Sequence, residues 1–308
     1  MQNIFKPELV ERAEKSGFDV NNRAVYLPAV NEQFAKEPLV PDDPNRPVPN
    51  DFKNADLNFW DGSSSLFDYP FILHSAGQFS PLTEVDNAVT RGSNDTRFML
   101  GDSAGFQIGS GTFNIPALKV AEEYLAAVDA WECATNEKEW IVHWLERNSS
   151  YAMTIDMPLW AKTTNGEKSP FRDCTIEELT EMTVDNLAMI SDLQTGNCKW
   201  LNVIQGLDAS TTANWIAAVS RYKFGGWALA GGAGCRGGVE QVARTILTMR
   251  DQNLFDAGMD LLHMLGVSTP IWAVIFTRIQ QHLRKQNPNL CMTFDSSSPF
   301  LMAGRYEQ

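Results

Sequence analysis

Three aspartates each follow a short apolar run: Asp102 after FMLG, Asp156 after MTI and Asp295 after CMTF. Gln205 follows a fourth run, LNVI. A carboxylate at the end of a buried strand stands at the mouth of a fold. Several converging on one mouth repel one another unless a proton, a ligand or a metal compensates. The chemistry that asks for such a set is glycosidic: one carboxylate attacks or stabilises an anomeric carbon, and a second gives or takes a proton at the leaving group. Taken singly, each aspartate reads equally well as a turn residue or a helix N-cap. The recurrence of the same layout along the chain is what that plainer reading leaves unexplained.

Two further features belong to the same mouth. Residues 102–107, DSAGFQ, put Ser103, small residues and the flat ring of Phe106 directly beside Asp102. Gly231, Gly232, Ala233 and Gly234 follow the run WALA and would bring bare backbone against a ligand edge. GGAGCRGG lacks the spacing of a dinucleotide fingerprint, and no phosphate-loop lysine accompanies it.

The elements that must hold these residues alternate. Strands are expected at 25–30, 71–76, 97–102, 151–156, 199–206, 225–232, 261–266 and 291–296. Helices are expected at 5–17, 116–132, 137–148, 174–193, 211–222, 238–255 and 270–285. Thr175 and Glu178 form a capping box, and Pro270 suits a first helical turn. Uniformly apolar strands alternating with amphipathic helices indicate a buried parallel sheet. Eight strands fit a single (β/α)8 barrel of the α/β class over residues 1–308, with an open doubly wound sheet as the alternative. The N-terminal region is irregular. Residues 36–64, with PLVPDDPNRPVP inside, form a Pro-rich loop that wraps the domain or covers the site. Trp60, within that loop, is a candidate stacking or lid residue, whereas Trp131, Trp140, Trp144, Trp215 and Trp272 fall on helices and read as core.

Composition narrows the class. The 308 residues are 44% hydrophobic with a net charge of −13, which excludes an indiscriminate nucleic-acid coat protein. Residues 221–308 carry nine Lys/Arg against six Asp/Glu, so a local basic surface is compatible with the acidic whole. Arg278, Lys285 and Arg305 are the candidates there for phosphate contact; Arg278 and Lys285 serve equally to finish a helix. Five scattered cysteines form no CxxC pair, so they read as reduced thiols and not as a local zinc site. The four histidines read as structural, with His263 bordering the pocket. No apolar run approaches the roughly 20 residues of a membrane span, and a cytoplasmic protein is expected.

The motifs DSAGFQ (102–107), TIDMP (154–158), VIQG (203–206), ALAGGAG (228–234), HMLGVSTP (263–270) and TFDSS (293–297) resemble, in order, those of the tRNA-guanine transglycosylase superfamily. Members exchange a guanine for a 7-deazaguanine without cutting the nucleic-acid backbone. The resemblance implies that Asp295 is the nucleophile at C1′ and Asp102 the general acid/base. Asp156 and Gln205 would bond the base edge, assisted by Ser103 and the backbone of Gly231, Gly232 and Ala233. Phe106 would stack on one base face, with Leu265 on the other. Ala104 stands where the family has a second glycine, and IDMP replaces a DEC-type sequence. The chain shows no CxCxxC…His cluster after Asp295, so no C-terminal zinc subdomain is expected. It looks more like the shortened DNA-acting branch found in phages and genomic islands, which implies host cytoplasm if phage-encoded. The implied partners are DNA and a 7-deazaguanine base such as preQ0 or a derivative, with no cofactor and no metal; the family often pairs as a homodimer. The alternatives are a tRNA enzyme that borrows docking surface, a non-catalytic nucleobase-binding subunit, and a metal-dependent barrel hydrolase.

Overall fold

A computed structural model describes residues 4–45, 48–79, 86–113, 115 and 124–301. Eight strands make one all-parallel sheet: β1 (Val25–Pro28), β2 (Phe71–Ser75), β3 (Phe98–Asp102), β4 (Tyr151–Met153), β5 (Lys199–Ile204), β6 (Gly226–Leu229), β7 (Leu261–Met264) and β8 (Cys291–Ser296). Neighbours pair in the order β1-β8-β7-β6-β5-β4-β3-β2. The ring closes where Ala29 bridges Leu73 and the Val30 N–H donates to the Leu73 carbonyl at 2.9 Å. This is the (β/α)8 barrel, with helices outside and the strand ends of one face forming a mouth.

The strands form because both faces are covered. Every residue of β2 and of β8 is buried, which suits uninterrupted apolar runs and not alternation. Helices return the chain to the far face. The helix Ile176–Leu193 starts at the expected capping box, the Thr175 hydroxyl accepting from the Glu178 N–H at 3.1 Å. Pro270 opens the helix Pro270–Leu283 as expected. The helix expected from 211 begins at Ala209, because Asp208 caps it by accepting from the Thr211 N–H. The strand expected over 151–156 ends at Met153: β3 pairs with β4 only as far as Ala152 and β5 only as far as Met153, and the Thr154 N–H makes a last bond to the Leu201 carbonyl at 2.9 Å. Of the helix expected over 116–132, residues 116–123 lie outside the described residues, and Tyr124–Glu132 is helical.

The Pro-rich stretch, in its described residues, packs on Phe34 and on Arg12. It carries short 3-10 turns at Glu37–Leu39 and Asn54–Leu57. Trp60 is completely buried, edge-on to Phe59 with ring centroids 4.9 Å apart, so it is a packing residue and no lid. Its carbonyl accepts from Arg12, which also pairs with Asp68 and ties the first helix, Pro7–Lys15, to this loop. Trp131, Trp144 and Trp215 are buried, and Trp140 and Trp272 pack half-buried against the same core. Among the described residues, no helix is long and apolar enough to cross a membrane.

Candidate active site

The mouth gathers Asp102 from the end of β3, Asp295 from β8, and Asp156 from the segment after β4. Register explains the first. Ser75 pairs with Asp102 across β2 and β3, so their side chains stand level, with the Ser75 hydroxyl facing the Asp102 carboxyl. Burial pushes the Asp102 pKa up, and the charge of Asp295 adds to it. Ser75, the Ala104 N–H and His263 oppose the shift without cancelling it. Asp102 is therefore a carboxyl that retains its proton more tightly than an ordinary one, as a general acid must.

The turn after Asp102 is held in an unusual shape. Ala104 has φ 78° and ψ 19°, a left-handed conformation that favours glycine. This explains why a glycine is natural at that position, and the chain tolerates alanine there at a cost in strain. The next residue lies against Asp156: a Cβ on Gly105 would sit 3.3 Å from Asp156 Oδ1.

Asp156 is buried, and its pKa is pushed up to about 7, first by burial and then by the charge of Asp102. Gln205 holds it in place. The Gln205 amide donates to Asp156 Oδ2 and to the Met157 carbonyl at 3.1 Å, and its oxygen accepts from the Leu159 N–H at 2.8 Å. Both amide protons are thus committed, and Gln205 acts here as a bracket for Asp156 and the 157–159 turn. Ser103 is likewise engaged, its buried hydroxyl donating to the Thr154 carbonyl at 2.9 Å. The turn Gly231–Ala233 packs on Gly206, whose carbonyl would lie 2.3 Å from a Cβ on Gly232; Ala233 is fully buried.

Asp295 is held through one oxygen. Oδ1 accepts from the Gly266 N–H at 2.8 Å and lies 3.2 Å from His263 Nε2. Gly266 reaches it with φ 70°, a conformation for which glycine is the ordinary choice. Leu265, beside it, is half-buried against the core. Cys235 and Tyr26 also sense Asp295. Burial, seconded by that charge, raises both to about 12, so neither side chain competes as an ionised nucleophile.

Phe106 stands 65% exposed, with its ring stacked on Trp160 at 5.6 Å and 27°. One face is backed by an indole and the ring is otherwise open, which is the geometry of a stacking platform. Two of the expected phosphate contacts belong to one helix and the turn after it. The helix bearing Arg278 starts at the mouth with Pro270 and runs back along the barrel. At about 1.5 Å per residue, Arg278 lies roughly 12 Å from its start, and Lys285 lies in the turn just past its end at Leu283. Arg305 lies outside the described residues.

Sequence reasoning placed His263 beside the pocket but missed its contact with Asp295, and it missed Ser75 and Trp160 altogether. Ser75 and the His263 contact become visible only through strand register, and Trp160 through a ring contact between two short helical segments. No protein-family model matches this chain, and no curated protein matches it.

Proposed function

We propose that this chain is a DNA-guanine transglycosylase, exchanging guanine in DNA for a 7-deazaguanine through a covalent Asp295–deoxyribosyl intermediate. The observation that carries the reading is the differentiated carboxylate set. Asp102 is biased toward its protonated form by burial and by the charge of Asp295, while Asp295 is anchored through one oxygen by donors. Two carboxyl groups with distinct environments assign acid and nucleophile.

In this scheme Asp295 attacks C1′ as the C1′–N9 bond breaks. The bonding pair leaves with guanine, which takes the Asp102 proton. The incoming base then gives its N9 proton to the Asp102 carboxylate, N9 attacks C1′, and Asp295 is released. Asp156 meets the polar edge of the base, and the Phe106–Trp160 pair stacks on its face. A base buried in a duplex has to leave the stack to reach such a mouth. DNA is assigned as the polynucleotide from the resemblance to the DNA-acting branch.

The test is incubation with DNA, tRNA, or both in competition, and labelled guanine or 7-deazaguanine. Label entering DNA is expected. Label entering tRNA alone moves the assignment to tRNA, and label entering neither overturns the enzyme reading. Asp295→Ala is expected to abolish exchange; normal exchange by that variant overturns the nucleophile assignment.

A further inference from the structure

We infer that His263 is a positioning residue for Asp295: it determines which carboxylate oxygen attacks and helps the same carboxylate leave. The inference rests on the base-exchange reading above.

Register sets up the contact. His263 on β7 pairs with Thr293 on β8. Side chains alternate along a strand, so Thr293 and Asp295, two residues apart, share a face with the imidazole between them. The ring spans both, with Nδ1 2.8 Å from Thr293 Oγ1 and Nε2 3.2 Å from Asp295 Oδ1. His263 is completely buried, where an unused ring nitrogen would be costly, and both are used.

The donor direction follows from the partners. A carboxylate oxygen only accepts, so the nitrogen facing it carries the hydrogen. Thr293 is a hydroxyl and can donate to Nδ1 or accept from it. The Nε2–H therefore points at Asp295 whether the ring carries one proton or two. With Gly266, this puts two N–H donors on Oδ1, while among the described residues no hydrogen bond reaches Oδ2. Oδ2 is the oxygen left to form the bond to C1′.

The consequence is asymmetric. When Oδ2 bonds to C1′ and the C1′–N9 pair departs with the base, Oδ1 becomes the carbonyl oxygen of a neutral ester. When N9 of the incoming base attacks, the C1′–Oδ2 pair returns to Asp295, and the restored charge spreads onto Oδ1. Hydrogen bonds to a carboxylate are stronger than those to a neutral carbonyl. The Nε2–H therefore favours release of the intermediate over its accumulation.

The experiment uses an oligodeoxynucleotide with a single guanosine, at fixed free guanine. It measures the ratio of trapped covalent adduct to free enzyme, together with the rates of adduct formation and breakdown. His263→Phe is expected to raise that ratio about 10-fold or more, chiefly by slowing breakdown. His263→Gln, whose amide can donate from a similar place, is expected to return it toward the wild-type value. A His263→Phe protein that is folded, with formation and breakdown lowered equally or the ratio unchanged, overturns the inference. If His263→Phe does not fold, Thr293→Val carries the test: it removes the Nδ1 partner and should raise the ratio to a smaller extent, and no change overturns the inference. A wild type that forms no adduct and exchanges no base instead refutes the transglycosylase reading itself.

Discussion

Ser75 stands directly across from Asp102 in the β2–β3 pairing, and its hydroxyl favours the charged form of the Asp102 carboxyl. This influence works against the burial that raises the Asp102 pKa. Ser75→Ala removes the opposing effect, and the Asp102 pKa rises further. The alkaline limb of the pH–rate profile, where the general acid is lost, is expected to move to higher pH. An unmoved or lowered limb would show that the hydroxyl does not act on the acid.

Asp156 titrates near 7 in the folded chain because it is buried beside Asp102. A carboxyl whose pKa rises on folding binds its proton more tightly in the native state. Its contribution to stability is therefore favourable at low pH and is lost as pH rises from the ordinary carboxylate range through about 7. Asp156→Asn keeps the size and removes the charge. It is expected to be more stable than wild type at pH 8, by on the order of 2–4 kcal/mol, with the difference closing below about pH 4. Urea unfolding at both pH values measures this, and a difference independent of pH would rule the account out.

Trp160 supports Phe106 from one side. Stacked ring pairs contribute about 0.5–1.5 kcal/mol beyond burial. Trp160→Ala is expected to raise the KM for the incoming base about 2-fold to 10-fold with little change in kcat, and Trp160→Phe to recover most of the loss. Steady-state kinetics with varied base concentration provide the check; a fall in kcat at constant KM would place Trp160 in another role.

Away from the mouth, Glu146 is a buried carboxylate whose stability role is independent of function. Its oxygens accept from the Thr195 N–H and hydroxyl, the Asn197 N–H and the Trp200 indole at 2.8 Å. These bonds outweigh burial and lower its pKa. The stability it supplies is present above the ordinary carboxylate range and disappears as pH falls through the lowered value. Glu146→Ala leaves those donors without their acceptor and is expected to cost about 3 kcal/mol near neutral pH, measured by chemical denaturation.

The barrel was legible because its strands are short apolar runs with little else to be. CMTFDS is β8 to the residue, and FILHS is β2. Asp102, Asp156 and Asp295 could be picked out because a carboxylate at a strand end contradicts the run before it. Ser75 and the role of His263 could not, because each depends on which residue lies opposite on a neighbouring strand, and no local pattern records register. Trp60 misled for the opposite reason. Its Pro-rich surroundings suggest exposure, while Phe59 and Phe34 bury it. Arg278 and Lys285 have the spacing of one helix face, but spacing does not say how far along the barrel that face has travelled from the mouth.

The narrow closure between β1 and β2 has a mechanical meaning. Around the ring, β8 and β1 lie on one side of that joint and β2 and β3 on the other, so Asp295 and Asp102 ride on opposite banks of it. Apart from the Ala29–Leu73 bridge, the banks are laced by side chains: Tyr69 donates to the Tyr26 carbonyl, and His74 Nδ1 lies 2.7 Å from the Val30 carbonyl. Each carboxylate is anchored to its own bank, Asp295 through β7 and Asp102 through Ser75. A hinge at that joint would change the gap between the two carboxylates while leaving the local grip on each intact. A buried histidine, His74, far from Asp295 in the chain, thus sits at the joint that separates the two carboxylates.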